Sequence, residues 1–494
     1  MLNRIASSLI LFGALSVSAQ QYPGKTSYSL KNSTSSNLID TNGTVTHSWI
    51  HASNAPTCYS TYVMPGGVLW RTVTKSGNSF SGGPISGQFQ KIDYSGNLLW
   101  DFVYSTTGYC SHHDICPMPN GNVLLIAYEA RTQAEVTAAG CTGYTGIMWP
   151  DKIVEVQQTG PNSGTVVWEW KAWDHLVQNV NPNASNYQTS IVNHPELFNI
   201  NYRPQRDWMH VNGVNYNPIL DQIAISSHNL NEIYVIDHST TTAEAAGHAG
   251  GNSGKGGDIL YRWGNPAAYS ASGTAVFNVV HDAHWVPEGC PNAGDLAGYK
   301  NRGISSTASC ADIFTPSVSG YNYPIIPGSA FTPASYTIRQ ACGGYNGNEG
   351  SSQQLPNGNI LVNMGTSGLI KEFDPAGNLL WSKSLGGGNA KAFRYSDCYL
   401  DNVPPPIPSI TESGNMLSAT LASSYQWYLN GQLLNGETGQ SLNALQSGIY
   451  VVRTTDANGC VFQYSSGFNY QLSTSTDHSV DEKIFSVYPN PTTG

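Results

Sequence analysis

The stretch KIDYSGNLLW, residues 91–100, carries a pattern that returns along the chain and so indicates the fold. An apolar residue and an acidic residue lead into a glycine turn, and the apolar run that follows ends in tryptophan. Close copies are LIDTNGTVTHSW at 38–49 and IKEFDPAGNLLW at 370–381, and looser copies are IVEVQQTGPNSGTVVWEW at 153–170 and YVIDHS continued by GGDILYRW at 256–263. Such self-similarity indicates a repeat architecture.

A second pattern lies between these copies, in which a Pro/Gly turn feeds a β-rich run: MPGGVLWRT, MPNGNVLLIAYE, VPEG and LPNGNILVNMG. Each cycle therefore supplies two hairpins, the content of a four-stranded propeller blade. Five hairpins of the first kind are visible, and the span between 263 and 370 can hold a sixth around DIFTPSVSGYNYPI. We predict an all-β protein with a six-bladed β-propeller over residues 20–403. Seven blades and an array of β-sandwiches are the alternatives.

The composition excludes some partners. Charged residues make up 11% of the 494 residues, against roughly 25% in an average soluble protein, and the formal net charge is -10. A nucleic-acid-binding protein needs a basic surface to neutralise phosphates, so we expect no nucleic-acid partner.

The N-terminus, MLNRIASSLILFGALSVSAQQ, has one arginine, a short apolar run and small residues before position 20. This pattern is typical of a secretory signal peptide, here residues 1–19, and the run is too short for a transmembrane helix. No later stretch is apolar enough to span a membrane. We therefore expect the mature protein to be secreted or held at the cell surface.

The character of the chain changes near residue 404. VPPPIP reads as a stiff linker, and the alternating strands with Asn-Gly turns that follow predict a small Ig-like β-sandwich over 404–472. Residues 473–494 are a polar linker followed by IFSVYPNPTTG, which resembles the start of the C-terminal sorting domain of type IX secretion. That resemblance implies the type IX secretion machinery as a partner.

Nine cysteines in an exported chain predict some disulfides, and the odd number leaves at least one cysteine unpaired. Cys290 and Cys310 bracket a loop-like stretch and are the pair we expect to be bridged. The cysteine spacing matches no zinc pattern.

Histidines occur at matching points of the repeats. CSHHDICPMPNG at 110–121 and FNVVHDAHWVPEG at 277–289 each place a His-Asp pair the same distance before a Pro-x-Gly turn, with His113 and His281 as the histidines. His210 in DWMHVNGVNYNP precedes a turn at a similar distance, and His228 in AISSHNLNEI follows on the next strand. Because the innermost strands of a propeller line one axis, we expect these side chains to face one pocket.

Imidazole can act as a nucleophile, an acid or base, a metal ligand or an anion clamp, and all of these roles fit a ring of histidines around a funnel. The residues alone therefore do not distinguish three functions. They are covalent catalysis, non-catalytic binding of a ligand, and metal-dependent catalysis with His113, His210 and His281 as ligands.

Several long segments resemble the arylsulfotransferases, the PAPS-independent aryl-sulfate sulfotransferases of bacterial envelopes. The resemblance covers roughly residues 35–400, and its segments are DWMHVNGVNYNPILDQIAISSHNLNEIYVIDHSTTTAEAAGHAGG, GGDILYRWGNPAAY, VVHDAHWVP and LPNGNILVNMGTSGLIKEFD. It implies a six-bladed propeller that transfers a sulfuryl group from a phenolic sulfate ester to a phenol through a sulfated histidine, without cofactor or metal. By motif, the nucleophile would be His281, and His113 and His210 would bind sulfate oxygens and move the phenol proton.

One position departs from the family pattern. Where the family carries an arginine that clamps sulfate, this chain has His228 in SSHN, which we expect to bind substrate together with His112. Imidazolium is a weaker and pH-dependent anion donor. The arginines that could supply the missing charge are Arg71, Arg206, Arg339 and Arg394.

The glycine-rich stretch GHAGGNSGKGGD at 247–258 is not a phosphate-binding loop, because its glycine spacing is wrong and Gly256 stands where a Ser or Thr would bind magnesium. We expect a loop between outer strands. The sequence thus favours an exported aryl-sulfate sulfotransferase. The alternative is a non-catalytic secreted propeller that binds a sulfated, phenolic or glycan ligand at its axial funnel.

Overall fold

A computed structural model of the chain describes residues 20–305 and 308–472, and its regular elements are almost all β-strands. The predicted signal peptide (1–19) and the predicted sorting segment (473–494) lie outside the described residues. No helix in the described part is both long enough and apolar enough to cross a membrane. The prediction of an all-β protein is confirmed.

Four-stranded antiparallel sheets follow one another along the chain. In chain order, the first eleven strands are β1 Lys25–Tyr28, β2 Ser35–Ile39, β3 Val45–Ile50, β4 Thr57–Met64, β5 Val68–Thr74, β6 Gly87–Ile92, β7 Leu98–Val103, β8 Tyr109–Pro117, β9 Val123–Glu129, β10 Asp151–Gly160 and β11 Ser163–Lys171. Helix α1, Gln133–Ala138, interrupts the third sheet between β9 and β10.

The following strands are the short parallel pair β12 Leu176–Val177 and β13 Phe198–Asn199, then β14 Val211–Asn217, β15 Gln222–Ser227, β16 Glu232–Asp237, β17 Tyr261–Trp263, β18 Val280–Trp285, β19 Leu296–Ser305, β20 Ala308–Phe314, β21 Ile338–Ala341, β22 Ser351–Gln354, β23 Ile360–Met364, β24 Leu369–Phe373, β25 Leu379–Ser384 and β26 Phe393–Tyr395. Helix α2 is Thr242–Ala245 and helix α3 is Asp397–Asp401. Single 3-10 turns span Pro65–Gly67, Ala172–His175, Ile191–Asn193 and Pro266–Tyr269.

The strand orders are β4-β5-β6-β7, β8-β9-β10-β11, β14-β15-β16-β17, β18-β19-β20-β21 and β22-β23-β24-β25, while the first sheet is β26-β1-β2-β3. The last strand of this region therefore pairs with the first, with Thr26 opposite Arg394. This pairing ties the two ends of the region together.

The repeated acidic residue forms the turn of each close copy. Asp93 accepts a hydrogen bond from the backbone N–H of Asn97 at 2.8 Å, and the N–H of Gly96 donates to the carbonyl of Asp93 at 3.1 Å. Gly96 has φ +91°, a conformation that favours glycine. The same two hydrogen bonds form at Asp40 and at Asp374, so the repeat is a hairpin between the third and fourth strands of a sheet.

The repeated tryptophan joins each of the first four sheets to the next one. Its indole N–H donates to a backbone carbonyl of the following sheet or of its loops. The pairs are Trp49 with Asp93 at 2.9 Å, Trp100 with Ser163 at 3.0 Å, Trp170 with Gly257 at 2.7 Å and Trp263 with Pro333 at 2.7 Å. A buried indole N–H needs such a partner, which explains why the repeat keeps tryptophan there.

Neighbouring sheets also share hydrophobic clusters around the whole region. Each of these clusters contains residues from two successive sheets, and the last one joins the sixth sheet to the first. Representative pairs, one residue from each sheet, are Trp49 and Leu69, Trp100 and Val154, Trp170 and Ile225, Val235 and Leu296, Ile313 and Val362, and Leu361 and Tyr28. The core is therefore divided among the interfaces between sheets.

The further outer hairpin that the sequence predicts between residues 263 and 370 consists of β20 and β21, in the fifth sheet. The predicted segment DIFTPSVSGYNYPI supplies only the end of β20, because the chain leaves the sheet after Phe314 and returns at Ile338. The Pro/Gly turns lie where predicted, between first and second strands, as in the turn from Met118 to Asn122. The glycine-rich segment 247–258 connects α2 to β17, between the third and fourth strands of the fourth sheet, as expected.

The C-terminal segment forms two further antiparallel sheets. Their strands are β27 Ile410–Ser413, β28 Met416–Ala419, β29 Ser424–Leu429, β30 Gln432–Leu433, β31 Ser441–Asn443, β32 Gly448–Thr455, β33 Phe462–Tyr464 and β34 Phe468–Tyr470. Strands β27, β28 and β31 make one sheet, and the other five make the second. The two sheets share a cluster that includes Leu417 and Trp427.

This C-terminal unit contacts the turns of the preceding sheets. Tyr428 donates to Glu288 at 2.8 Å, Arg453 pairs with Glu288, and Gln463 donates to the carbonyl of Pro119 at 2.9 Å. Glu288 and Pro119 lie in the Pro/Gly turns that follow His281 and His113 along the chain.

The expected Cys290–Cys310 bridge is wrong. Cys290 lies in the turn after β18, where its thiol donates to the Gln354 carbonyl at 3.2 Å, whereas Cys310 lies within β20. Both are free and buried, and the described chain has a disulfide between Cys398 and Cys460 instead. That bond links α3 to the C-terminal unit.

Candidate functional site

Bulges in β8 and β18, the first strands of the third and fifth sheets, turn the histidines toward a common point. In β8, Ser111 pairs with Ala127 and Ile115 pairs with Leu125, so three residues of β8 oppose one residue of β9. His113 lies in this bulge with φ +50°. In β18 the pairing shifts between His281 and His284. Bulges of this kind re-aim side chains and recur beside functional sites.

A glycine brings two of these strands close together. A Cβ added to Gly213 of β14 would lie 3.0 Å from the backbone N of Ala283 and 3.1 Å from the Cα of Asp282. Glycine therefore allows the fourth and fifth sheets to approach each other beside His281.

The five sequence-predicted histidines form one continuous cluster. Successive ring centroids are separated by 5.0 Å from His112 to His113, 4.5 Å from His113 to His210, 4.9 Å from His210 to His228 and 5.6 Å from His228 to His281. His112, His113 and His281 are buried, while His210 and His228 are partly exposed. The cluster is thus reached from solvent at His210 and His228, in the middle of the series.

Hydrogen bonds select the tautomer of His281. Asn301 donates through Nδ2 to the carbonyls of Asn346 and Glu349 at 3.1 and 2.6 Å, so its Oδ1 is the atom that faces His281 Nδ1 at 2.6 Å. Because that oxygen can only accept, Nδ1 carries the proton and Nε2 carries the lone pair. The backbone N–H of Glu349 points at this lone pair from 3.3 Å.

Burial keeps this imidazole neutral. Burial, and then the nearby His228, lower the pKa of His281 well below its usual value. A neutral imidazole with its lone pair directed into a polar site can attack an electrophile. The arrangement at His281 therefore suits a nucleophile.

His210 has a different partner. Its Nδ1 lies 2.6 Å from Asp207 Oδ2, which leaves Nε2 as the free nitrogen. A carboxylate that holds one nitrogen of an imidazole orients the ring for proton transfer at the other. The geometry suits an acid or base in contact with solvent.

His112 supports His113 from behind. The two Nδ1 atoms lie 2.7 Å apart, so one of them must donate and the other accept. His112 also stacks on Tyr128 at 3.6 Å, and its Nε2 lies 2.7 Å from Asp151 without a well-aligned hydrogen bond. Burial lowers the pKa of both imidazoles and raises the pKa of Asp151 well above its usual value. Both nitrogens of His112 thus face protein groups.

His228 is held by two asparagines. Its Nδ1 lies 2.8 Å from Asn229 Oδ1 and its Nε2 lies 3.1 Å from Asn348 Oδ1. Burial, and then His210, lower the pKa of His228. The ring is therefore neutral at neutral pH when no anion is bound.

None of the four candidate arginines forms a hydrogen bond or ion pair with the cluster in the part of the chain that the structure describes. Arg71 donates to Ala55 and Gln90, Arg339 to Asp312, and Arg394 to Glu372, while Arg206 lies over the Trp149 ring. The positive charge beside the cluster comes instead from lysines.

Lys391 connects the two repeated His-Asp pairs. Its Nζ lies 2.5 Å from Asp114 and 2.8 Å from Asp282. Burial alone would raise the pKa of Asp282, but Lys391 outweighs it and lowers the pKa to about 2. Burial alone would lower the pKa of Lys391, and the two carboxylates raise it above its usual value. Asp282 is therefore an ionised anchor rather than an acid.

Sequence reasoning missed several polar groups beside the cluster. Lys391, Asn301 and Glu349 lie in segments without histidine, and Tyr59 packs edge-to-face on His113 at 5.0 Å. Lys31 pairs with Glu349 at 2.5 Å. Tyr59 Oη and Glu349 Oε2 are buried and lack hydrogen-bond partners within residues 20–305 and 308–472. A lone lysine among small residues, as in GGGNAKAF, is the one sequence signal that could have indicated such a role.

The predicted metal alternative is not supported by this geometry. Among the described residues, the set of histidine, cysteine and acidic side chains whose ligand atoms converge within 4.8 Å is His175, His248 and Asp258, away from the cluster. Such convergence is absent for His113, His210 and His281 in the same ranges.

Comparison with known proteins identifies a family. A family model described as Arylsulfotransferase (ASST) matches residues 23–304. No curated protein matches this chain significantly.

Solved structures show only distant similarity. A protein of unknown function from Bacteroides caccae is 10% identical over 75% of this chain and 98% of its own, with a TM-score of 0.41. A virginiamycin B lyase from Staphylococcus aureus is 11% identical over 80% of this chain and 92% of its own, with a TM-score of 0.34. These similarities are too low to support a conclusion about activity.

Proposed function

This chain belongs to the arylsulfotransferase family, and from that premise we propose that it transfers a sulfuryl group from a phenolic sulfate ester to a phenol through a sulfohistidine at His281. The observation that carries the proposal is the hydrogen bond between His281 Nδ1 and Asn301 Oδ1. It places the proton on Nδ1 and leaves the neutral Nε2, whose lone pair accepts from the Glu349 N–H at 3.3 Å, as the nucleophilic atom.

The first half-reaction forms an N–S bond and breaks an S–O bond. The lone pair of His281 Nε2 attacks sulfur, and the electron pair of the S–O bond leaves with the phenolic oxygen, which takes up a proton. His210, held by Asp207 at 2.6 Å, is the proposed donor of that proton, with His113 beside it. The second half-reaction reverses these steps with a new phenol, so the same group acts as base.

Charge that develops on the sulfuryl oxygens needs donors. The backbone N–H of Glu349, the ring of His228 and the ring of His113 are the proposed donors. His112 is fully enclosed by Tyr128, Asp151 and His113, so we propose that it acts through His113, and not by the direct substrate contact expected from sequence. No cofactor is required by this scheme.

The test is transfer of sulfate from a chromogenic aryl sulfate to a phenol between pH 5 and pH 9, with mass detection of a sulfated peptide. We expect turnover, with the adduct on the peptide that contains His281. His281→Ala should abolish both, whereas His194→Ala, which removes a surface histidine paired with Glu196, should leave both intact. Full transfer by His281→Ala would overturn the assignment.

A non-catalytic propeller that binds a sulfated, phenolic or glycan ligand at the same site is the second candidate. It is favoured by one observation, the histidine at position 228 in place of the family arginine. Binding of an aryl sulfate without turnover or adduct, on folded protein, would select it.

We also propose that the six four-stranded sheets are the six blades of one propeller spanning residues 20–403. The pairing of β26 with β1 and the clusters shared by successive sheets support this. Residues 404–472 are proposed to be an Ig-like module. Export by a signal peptide at 1–19 and by type IX secretion through 473–494 is proposed from the sequence, and cell fractionation would test it.

A further inference from the structure

A polar cavity lies between the fourth and fifth sheets. Its volume is about 500 Å³, and three cations line it: Arg203, Lys300 and Arg302. The other lining residues are asparagines and small or apolar residues, with no carboxylate among the described ones. In a chain with a net charge of -10, such a concentration of positive charge indicates an anionic ligand.

Lys300 is buried without a partner. The residue is 7% exposed, and its Nζ forms no hydrogen bond or ion pair within the described part of the chain. Asp312 is near enough to act on its charge, but that carboxylate is already bound by Arg339 at 2.7 and 2.5 Å. The ammonium group is not among the fully buried unpartnered atoms, so it reaches the space of the cavity and is available there to an anion.

The two arginines have donors to spare. Arg203 donates from Nη1 to the carbonyl of Asn229 at 2.9 Å, and a guanidinium has four further N–H groups. The backbone N–H of Arg302 donates to the carbonyl of Asn278 at 3.2 Å, which holds the strand beside the cavity while the Arg302 side chain is exposed. We infer that this cavity binds an oxyanion of the sulfate, sulfonate or phosphate class between Lys300 and the two arginines.

This site is separate from the histidine cluster, although one strand carries both. Side chains alternate along β19, so Lys300 and Arg302 face the cavity while Asn301 faces the other way and accepts from His281. The cavity is larger than one inorganic anion needs. The oxyanion can therefore belong to a free ion or to an organic ester.

Anion binding is tested with the full chain and two matched lysine variants. Lys300→Met removes the unpaired ammonium, and Lys152→Met removes an equally buried strand lysine that is paired with Glu169 at 2.8 Å. Inorganic sulfate and benzenesulfonate are titrated calorimetrically at constant ionic strength. We expect Lys300→Met to lose one anion-binding event, or to bind the anion at that site at least tenfold more weakly. Lys152→Met should bind the anion as the wild type does.

Stability and crystallography provide independent measurements. Without sulfate, we expect Lys300→Met to unfold at the same denaturant concentration as the wild type or higher, because a partly desolvated charge without a counterion among the described residues is removed. Lys152→Met should unfold at a lower concentration. Sulfate should raise the midpoint of the wild type and of Lys300→Arg more than that of Lys300→Met. Selenate soaked into crystals should give an anomalous peak beside Lys300 Nζ.

Equal binding and an equal sulfate-dependent midpoint shift in Lys300→Met and the wild type, or no selenate peak at Lys300, would overturn the inference. Tighter binding of benzenesulfonate than of sulfate would indicate that the ligand carries an organic group on its oxyanion. Equal binding would indicate a free inorganic anion. None of these measurements uses sulfuryl transfer. Failure of the proposed catalytic function is therefore distinguishable from failure of this site.

Discussion

Asp114 and Asp282, far apart in sequence, bind the same ammonium group: Lys391 Nζ lies 2.5 Å from the first and 2.8 Å from the second. Asp114 also accepts from Tyr62 Oη at 2.8 Å, and Asp282 accepts from the backbone N–H of Ser352 at 2.9 Å. Each aspartate adjoins a histidine of the cluster. The repeated His-Asp pair thus places an imidazole in the site and anchors its strand to a common cation.

Lys391→Met should destabilise the protein by about 3–5 kcal/mol, because two carboxylates would remain buried without their cation. The depressed pKa of Asp282, about 2 against 3.8, stabilises the fold above pH 4 by about 2 kcal/mol, and this contribution is lost as the pH falls toward 2. Urea denaturation at pH 7 and pH 3 measures both effects. A wild-type midpoint for Lys391→Met at pH 7 would contradict the prediction.

Asn301→Leu should lower kcat/KM by roughly 10²–10⁴-fold, because His281 loses the acceptor that selects its tautomer. Both variants lose the two hydrogen bonds that Asn301 Nδ2 donates to the carbonyls of Asn346 and Glu349, but Asn301→Asp keeps the acceptor for His281 and should retain more activity. Its carboxylate favours the imidazolium, which raises the pKa of His281, so the acid limb of the pH–rate profile should move to higher pH. Equal losses in the two variants, with unshifted profiles, would show that Asn301 acts only in folding.

His228→Arg should lower the KM for an aryl sulfate by about tenfold at pH 8, since charge-assisted hydrogen bonds are worth about 1.5–3 kcal/mol. In the wild type the pKa of His228 is lowered, so the ring gains its charge only below its usual value of 6.5 and KM should fall as the pH falls. The variant should lack that dependence. His194→Arg, a surface control, should behave as the wild type, and a pH-independent wild-type KM would contradict the prediction.

His238 should make the stability depend on alkaline pH. Burial lowers the pKa of this imidazole, but hydrogen bonds to Asp221 and Glu155 outweigh burial and raise it from 6.5 to about 9. Its contribution is therefore complete below pH 6.5 and is lost as the pH rises through 9. It amounts to at most about 3 kcal/mol. Denaturation at pH 6, 8 and 10 should show this slope in the wild type and a much smaller slope in His238→Gln.

The Cys398–Cys460 bond closes a loop with a sequence separation of 62. Replacing both cysteines by serine should destabilise the C-terminal unit by up to about 4 kcal/mol, because the unfolded chain regains loop entropy. Limited proteolysis between residues 402 and 409 measures the effect. Cleavage rates equal to those of the wild type would show that the contacts at Glu288 and Pro119 suffice to hold the unit.

Local chemistry explains why the sheets were predictable. The acidic residue, the glycine and the tryptophan of KIDYSGNLLW each make a short-range turn or a contact with the next sheet, so their repetition reports hairpins directly. The histidines were predictable because His113 and His281 occupy equal positions in two such units. The Cys290–Cys310 expectation failed because neither local pattern nor spacing fixes which thiols meet.

The order of hairpins, the all-β class and the histidines that carry the proposed chemistry could be predicted from the sequence, because these depend on contacts within a repeat. The partners of those histidines depend on tertiary contacts. Asn301, Glu349 and Lys391 reach the cluster only when the sheets come together, and the same packing leaves Lys300 without a counterion among the residues that the structure describes. Which buried charges are paired depends on distances between sheets, and no periodicity within a sheet encodes those distances.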